Sequence, residues 1–142
     1  MIWRVSVIKK SGARRSANVL ALVIGAAAIV VARGSSPGWA AGDSAAGKTV
    51  FATHCAVCHS TEPGENKIGP SLAGVVGSKS GTVPGYDFSP AMKNANVTWD
   101  DANLDKFLAN PPGFIHGTKM FVDLASETDR QNVIAYLNTL KK

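Results

Sequence analysis

Cys55-Ala56-Val57-Cys58-His59 is the stretch from which the rest of the chain can be read. Two thiols three residues apart share one face of a helical turn, and an imidazole follows at once. That order, C-x-x-C-H, is the pattern of covalent c-type haem attachment. Each of the porphyrin's two vinyl groups can take up a thiol as a thioether. Cys55 and Cys58 can reach both, and His59 is then held under the iron as its proximal ligand. Three rival readings use the same cysteines. A thioredoxin-like redox pair needs a strand before the motif, whereas residues 45–53 read as helix. A zinc site needs four ligands, usually from two paired clusters, and the chain has only these two cysteines. A plain disulfide is the remaining alternative. The expected cofactor is one haem c held by two thioethers.

Working outward, the front of the chain differs from the rest. Residues 1–40 carry Arg4, Lys9, Lys10, Arg14, Arg15 and Arg33 and no acid. From residue 41 onward there are nine basic and ten acidic side chains, a net charge of −1. The +5 of the whole chain therefore belongs to its first segment, and nucleic-acid binding has no electrostatic support. A basic start, an apolar run over residues 17–32 and small residues at Gly38 and Ala40 are the parts of a secretory signal, with cleavage expected after Ala40. The alternative is an uncleaved anchor facing the periplasm. Sixteen helical residues span about 24 Å, short of the roughly 30 Å hydrocarbon core, so cleavage is the preferred reading. Arg14-Arg15 resembles a twin-arginine signal, but haem is attached to an unfolded chain outside the cytoplasm, which fits ordinary secretion better.

The second segment, residues 41–142, reads as one all-α domain of four or five helices joined by long loops. Asp43 or Ser44 caps a first helix running to about Thr53. Gly47 within it costs roughly 1 kcal/mol against Ala, which points to a close helix crossing. Ser89-Pro90 opens a short helix to about Asn94. Thr98-Trp99-Asp100-Asp101 is a capping-box variant leading a helix that carries Leu104, Phe107 and Leu108 and stops before Pro111-Pro112. Ser126 caps the last helix, with Glu127 and Asp129 in its first turn and Lys141 and Lys142 at its end, as the helix dipole favours. Val133, Ile134, Leu137 and Leu140 make its apolar stripe, for which Gly47 and Phe51 are the matching surface. No stretch alternates as a strand. Loops this long do not suit a bare bundle; they suit packing around a cofactor.

A carrier that only passes electrons keeps both axial positions filled. The candidates for the sixth ligand are Met92, Met120, His54 and His116. His54 adjoins Cys55 and is tied to the same side as His59. Met92 falls in the short helix. His116 and Met120 share the loop that follows the double proline, which can deliver a side chain to the far face. The residues alone lean towards Met120 and leave His116 open. The other ring nitrogen of His59 needs an acceptor, and a carbonyl near Pro70 is a candidate.

The domain resembles the class I cytochromes c, both the bacterial soluble kind and the mitochondrial protein. The resemblance rests on Gly47-Lys48-Thr49-Val50-Phe51, the Cys55–His59 motif, Gly69-Pro70-Ser71-Leu72, Gly85-Tyr86-Asp87-Phe88-Ser89, Trp99, Gly117-Thr118-Lys119-Met120 and Ile134-Ala135-Tyr136-Leu137. It implies the cytochrome c fold, Met120 as sixth ligand, the Pro70 carbonyl on His59, Trp99 at a haem propionate, and terminal helices crossing at Gly47, Phe51 and Tyr136. His116 and Phe107 depart from the family, which has Pro and often Tyr there. The function implied is a monomeric, non-enzymatic, periplasmic one-electron carrier. Its partners would be drawn from a quinol-oxidising complex, a terminal oxidase, a photosynthetic reaction centre or a dehydrogenase. Lys119 is the first choice of docking charge, then Lys48 and Lys67. The alternative is the haem domain of a periplasmic oxidoreductase with a labile sixth ligand.

Overall fold

In the computed structural model, which describes residues 42–141, each helix begins at a residue whose side chain can cap it. The expected leader, and its cleavage after Ala40, lie outside the described residues. Asp43 caps α1 (Ser44–Val50), accepting from the amides of Ala45 at 2.8 Å and Ala46 at 3.2 Å. Ser89 caps α2 (Pro90–Asn94). Asp100 caps α3 (Asp101–Ala109). Asn110 caps a further turn, α4 (Pro111–Phe114). Ser126 caps α5 (Glu127–Leu137). Unsatisfied amides at a helix start are the reason such caps stabilise, typically by about 1 kcal/mol.

Four local expectations are corrected. The first helix does not run on as α-helix to Thr53: after Val50 it widens into a π-helical turn, Phe51–Cys55, a feature frequent at functional sites. Thr98 does not cap α3, because its backbone pairs antiparallel with Lys79; the helix starts after Asp100, which accepts from the Asn103 amide at 2.7 Å. The double proline does not only end α3. Its fixed φ suits a first helical turn, and α4 starts there. Finally, α5 ends at Leu137 with no base in its last turn, so Lys141 lies beyond the helix, and Lys142 lies outside the described residues.

Two packing events position the site. α1 crosses α5 where Gly47 is buried: a Cβ there would collide with the Asn132 carbonyl and press on Tyr136. Beside the crossing, the Phe51 and Tyr136 rings sit 5.6 Å apart, tilted. α3 is pinned to α5 by Arg130, whose Nε donates to Asp105 at 2.8 Å, and by Asn138, which donates to Asp101 at 2.8 Å. Val133, Ile134 and Leu137 are almost fully buried in the core with Leu104, Phe107 and Leu108. No helix lies between His59 and Ser89. That stretch is tied to the segment before α3 where Gly77 donates to Trp99, Trp99 to Ser78 and Ser80 to Val97 at 2.8–2.9 Å.

Candidate haem site

The π-helical turn leads directly into the motif, and the backbone then folds back on itself. The amides of Cys58 and His59 both donate to the Cys55 carbonyl, at 3.0 and 2.9 Å. This tight turn puts Cys55, Cys58 and His59 along one wall of a cavity of about 310 Å³. Protein interiors are normally packed without voids much larger than a water molecule. Here Leu72, Leu104, Leu108, Val133 and Leu137 line a space large enough for a guest.

His59 is held from behind. Its Nδ1–H donates to the Pro70 carbonyl at 2.7 Å, which leaves Nε2 as the ring nitrogen with a lone pair. Burial pushes the imidazole pKa down, against the opposing pull of the Pro70 bond, so the neutral, ligating form is favoured. The Pro70 carbonyl is fixed in turn: Gly69 donates to the Cys58 carbonyl at 2.8 Å, and Ser71 donates to Asn66 Oδ1 at 3.0 Å. Asn66 also donates to the Pro84 carbonyl at 3.0 Å. A Cβ on Gly69 would run into the His59 ring, so only glycine lets the loop pass so closely.

The environment of Cys55 runs against the redox-pair reading. Burial, and then the neighbouring Cys58, raise the Cys55 pKa to about 11, whereas reactive C-x-x-C motifs lower it. Neither cysteine is in a disulfide. Among the described residues no three His, Cys, Asp or Glu side chains gather as a metal-binding set, so the zinc reading has no further ligands to draw on.

The loop after α4 supplies a further part of the lining. Ile115 is buried, Gly117 turns the chain at φ +91°, and the Met120 amide donates to the buried Thr118 hydroxyl at 3.2 Å. Met120 lines the cavity together with Phe107 and Trp99, whose rings are 5.0 Å apart. Of the other ligand candidates, Met92 is buried and lines the same cavity, His54 lines it but is exposed, and His116 is exposed and does not line it. Ile68 and Phe121 line the cavity while keeping 76% and 75% of their surface exposed, so they mark its mouth. Sequence reasoning missed Asn66, which carries no signal beyond that of a polar loop residue. It also missed the engagement of Lys119 by Asp87, 32 residues away in sequence.

The residues present fit a haem: two thiols, a lone-pair nitrogen and two thioethers line one cavity whose remaining lining is largely apolar. A family model described as Cytochrome c matches residues 44–141. The chain is 48% identical over 101 residues to cytochrome c of Euglena viridis, covering 70% of this chain and 99% of that one. It is 48% identical over 107 residues to cytochrome c2 of Rhodomicrobium vannielii, covering 74% and 85%. The solved structure of cytochrome cH from Methylobacterium extorquens superposes with a TM-score of 0.64 at 44% identity, covering 69% of this chain and 99% of that one. The chain therefore belongs to the cytochrome c family, as a class I c-type cytochrome that carries electrons on covalently bound haem c and is not an enzyme.

Proposed function

We propose that residues 1–40 direct export and are removed after Ala40, and that residues 41–142 work in the periplasm as a monomeric one-electron carrier. In this reading Cys55 and Cys58 form the two thioethers, and His59 and Met120 are the axial ligands. The observation that carries it is the His59–Pro70 hydrogen bond at a cavity that Met120 also lines. Bound haem supplies a one-electron iron couple. The chain's own residues do the rest. The two cysteines fix the ring's orientation. The Pro70 carbonyl holds the imidazole proton on Nδ1. The leucine and valine walls exclude water. A soft thioether donor raises the potential relative to other ligand sets.

Ile68 and Phe121 at the mouth place an apolar rim where a redox partner would come nearest the ring. The partner classes remain a quinol-oxidising complex, a terminal oxidase, a reaction centre and a dehydrogenase. At −1 over residues 41–142, long-range steering is weak and local patches decide docking. Among the described residues no helix is long and apolar enough to cross a membrane. The test is the absorption spectrum of the oxidised protein with and without cyanide. A methionine–iron charge-transfer band and slow cyanide uptake are expected. A high-spin spectrum with rapid uptake would support instead an oxidoreductase haem domain with a labile sixth site.

A further inference from the structure

Lys119, the neighbour of Met120, reaches across to a single distant residue. Its ammonium donates to the Asp87 main-chain carbonyl at 2.6 Å and to the Asp87 carboxylate at 3.0 Å. Lys93, on α2, approaches the other oxygen of the same carboxylate at 3.5 Å. The Asp87 carboxyl is accordingly held below its ordinary range, chiefly by the Lys119 hydrogen bond and charge and then by Lys93.

The position of this group matters more than its charge. Tyr86, Phe88 and Ser89, the neighbours of Asp87, line the cavity, and so do Lys119, Met120 and Phe121, so the Lys119–Asp87 contact joins two segments of its lining. The Asp87 side is anchored. Tyr86 donates its hydroxyl to the Ile68 carbonyl at 2.8 Å, the Tyr86 and Phe88 rings meet edge-on at 4.7 Å, and Ser89 caps α2. On the Met120 segment, no helix spans the residues between Phe114 and Glu127, and Phe121, Val122 and Asp123 are exposed.

We propose that Asp87 is a positioning residue, a carboxylate strap that holds the Met120-bearing segment against the cavity through Lys119, with Lys93 as its second anchor, and so limits how often the sixth position opens. This rests on Met120 being the ligand. The side chains are half or more exposed, 52% for Lys119, 51% for Lys93 and 85% for Asp87. Water and salt therefore screen the pairs, and the effect on opening is modest, about two- to fivefold.

The test is imidazole uptake by the oxidised holoprotein at saturating imidazole and at a pH above the pKa of free imidazole, where the rate reports opening and the probe is neutral. Asp87→Asn, which keeps the shape and the main-chain acceptor, should take up imidazole about two- to fivefold faster than the native protein. Asp87→Glu should restore the slow rate. Added salt should speed the native protein towards the Asp87→Asn rate and leave that variant nearly unmoved, a signature that a purely structural defect would not give. Equal rates in native protein and Asp87→Asn, or the same salt response in both, would overturn the strap alone. Loss of the ligand reading is separable: if the methionine–iron band is missing from the native protein, or survives Met120→Ala, the strap falls with it.

Discussion

At the scale of single residues, a missing methyl at position 69 decides where the proximal imidazole can stand. Gly69→Ala would force the His59 ring off the Pro70 carbonyl. Overpacking of this kind typically costs 1–3 kcal/mol, so guanidinium unfolding of the holoprotein should show a loss of about that size. Met120→Ala should keep covalent haem, lose the methionine–iron band and lower the potential, which redox titration would measure. Asp87 gives a pH prediction. Its folded pKa lies below the ordinary 3.8, so its contribution to stability is present above that value and is lost as pH falls through the lower folded one. The stability gap between native protein and Asp87→Asn should be constant near neutrality and close below about pH 4, as read by denaturation at each pH. Cys55, Cys58 and His59 could be read from sequence because their chemistry is contiguous. The Pro70 carbonyl could be named only as a candidate, since an acceptor carbonyl has no residue-type signature. Asp87 could not be read at all, because its partner Lys119 is brought near only by the fold.

At the scale of elements, the crossing of α1 and α5 and the fork of Arg130 hold the walls in place. Gly47→Ala would drive a methyl into the Asn132 carbonyl, and a loss of about 1–3 kcal/mol is expected in thermal or chemical unfolding. Arg130 donates to Asp105, Leu124 and Ala125 at 2.8–2.9 Å, and the Arg130 and Asp105 side chains are only 12% and 15% exposed. Arg130→Met should cost about 2–3 kcal/mol, since it strands a partly buried carboxylate and two carbonyls. The helices that begin at Ser89 and Ser126 could be placed from their caps, and Gly47 could be placed at a crossing. The ends were less legible for reasons outside each helix. Thr98 is claimed by the pairing with Lys79, and the π-helical turn after Val50 runs into the motif itself, ending at Cys55.

At the scale of the whole molecule, long loops and a small helical core make sense only with a large apolar group at the centre. All-α architecture and the cytochrome c fold were legible in the chain, since six motifs and Trp99, spread over nearly all of residues 43–142, agree. That Met92 lines the same cavity as Met120 was not, because helix assignment says nothing of which buried face borders a cavity. Left unfilled, a space of roughly 310 Å³ would deny the leucine and valine side chains that line it the close packing of an ordinary core. A Cys55→Ala/Cys58→Ala chain without haem should therefore lack cooperative unfolding, as followed by far-ultraviolet circular dichroism. The most direct test of the axial pair is the proton NMR spectrum of the reduced holoprotein beside those of Met120→Ala and Met92→Leu. Ligation by Met120 predicts a methyl singlet shifted far upfield by the porphyrin ring current, present in the native protein and Met92→Leu and missing from Met120→Ala. A native spectrum without that singlet, or one in which it survives Met120→Ala, would contradict the assignment.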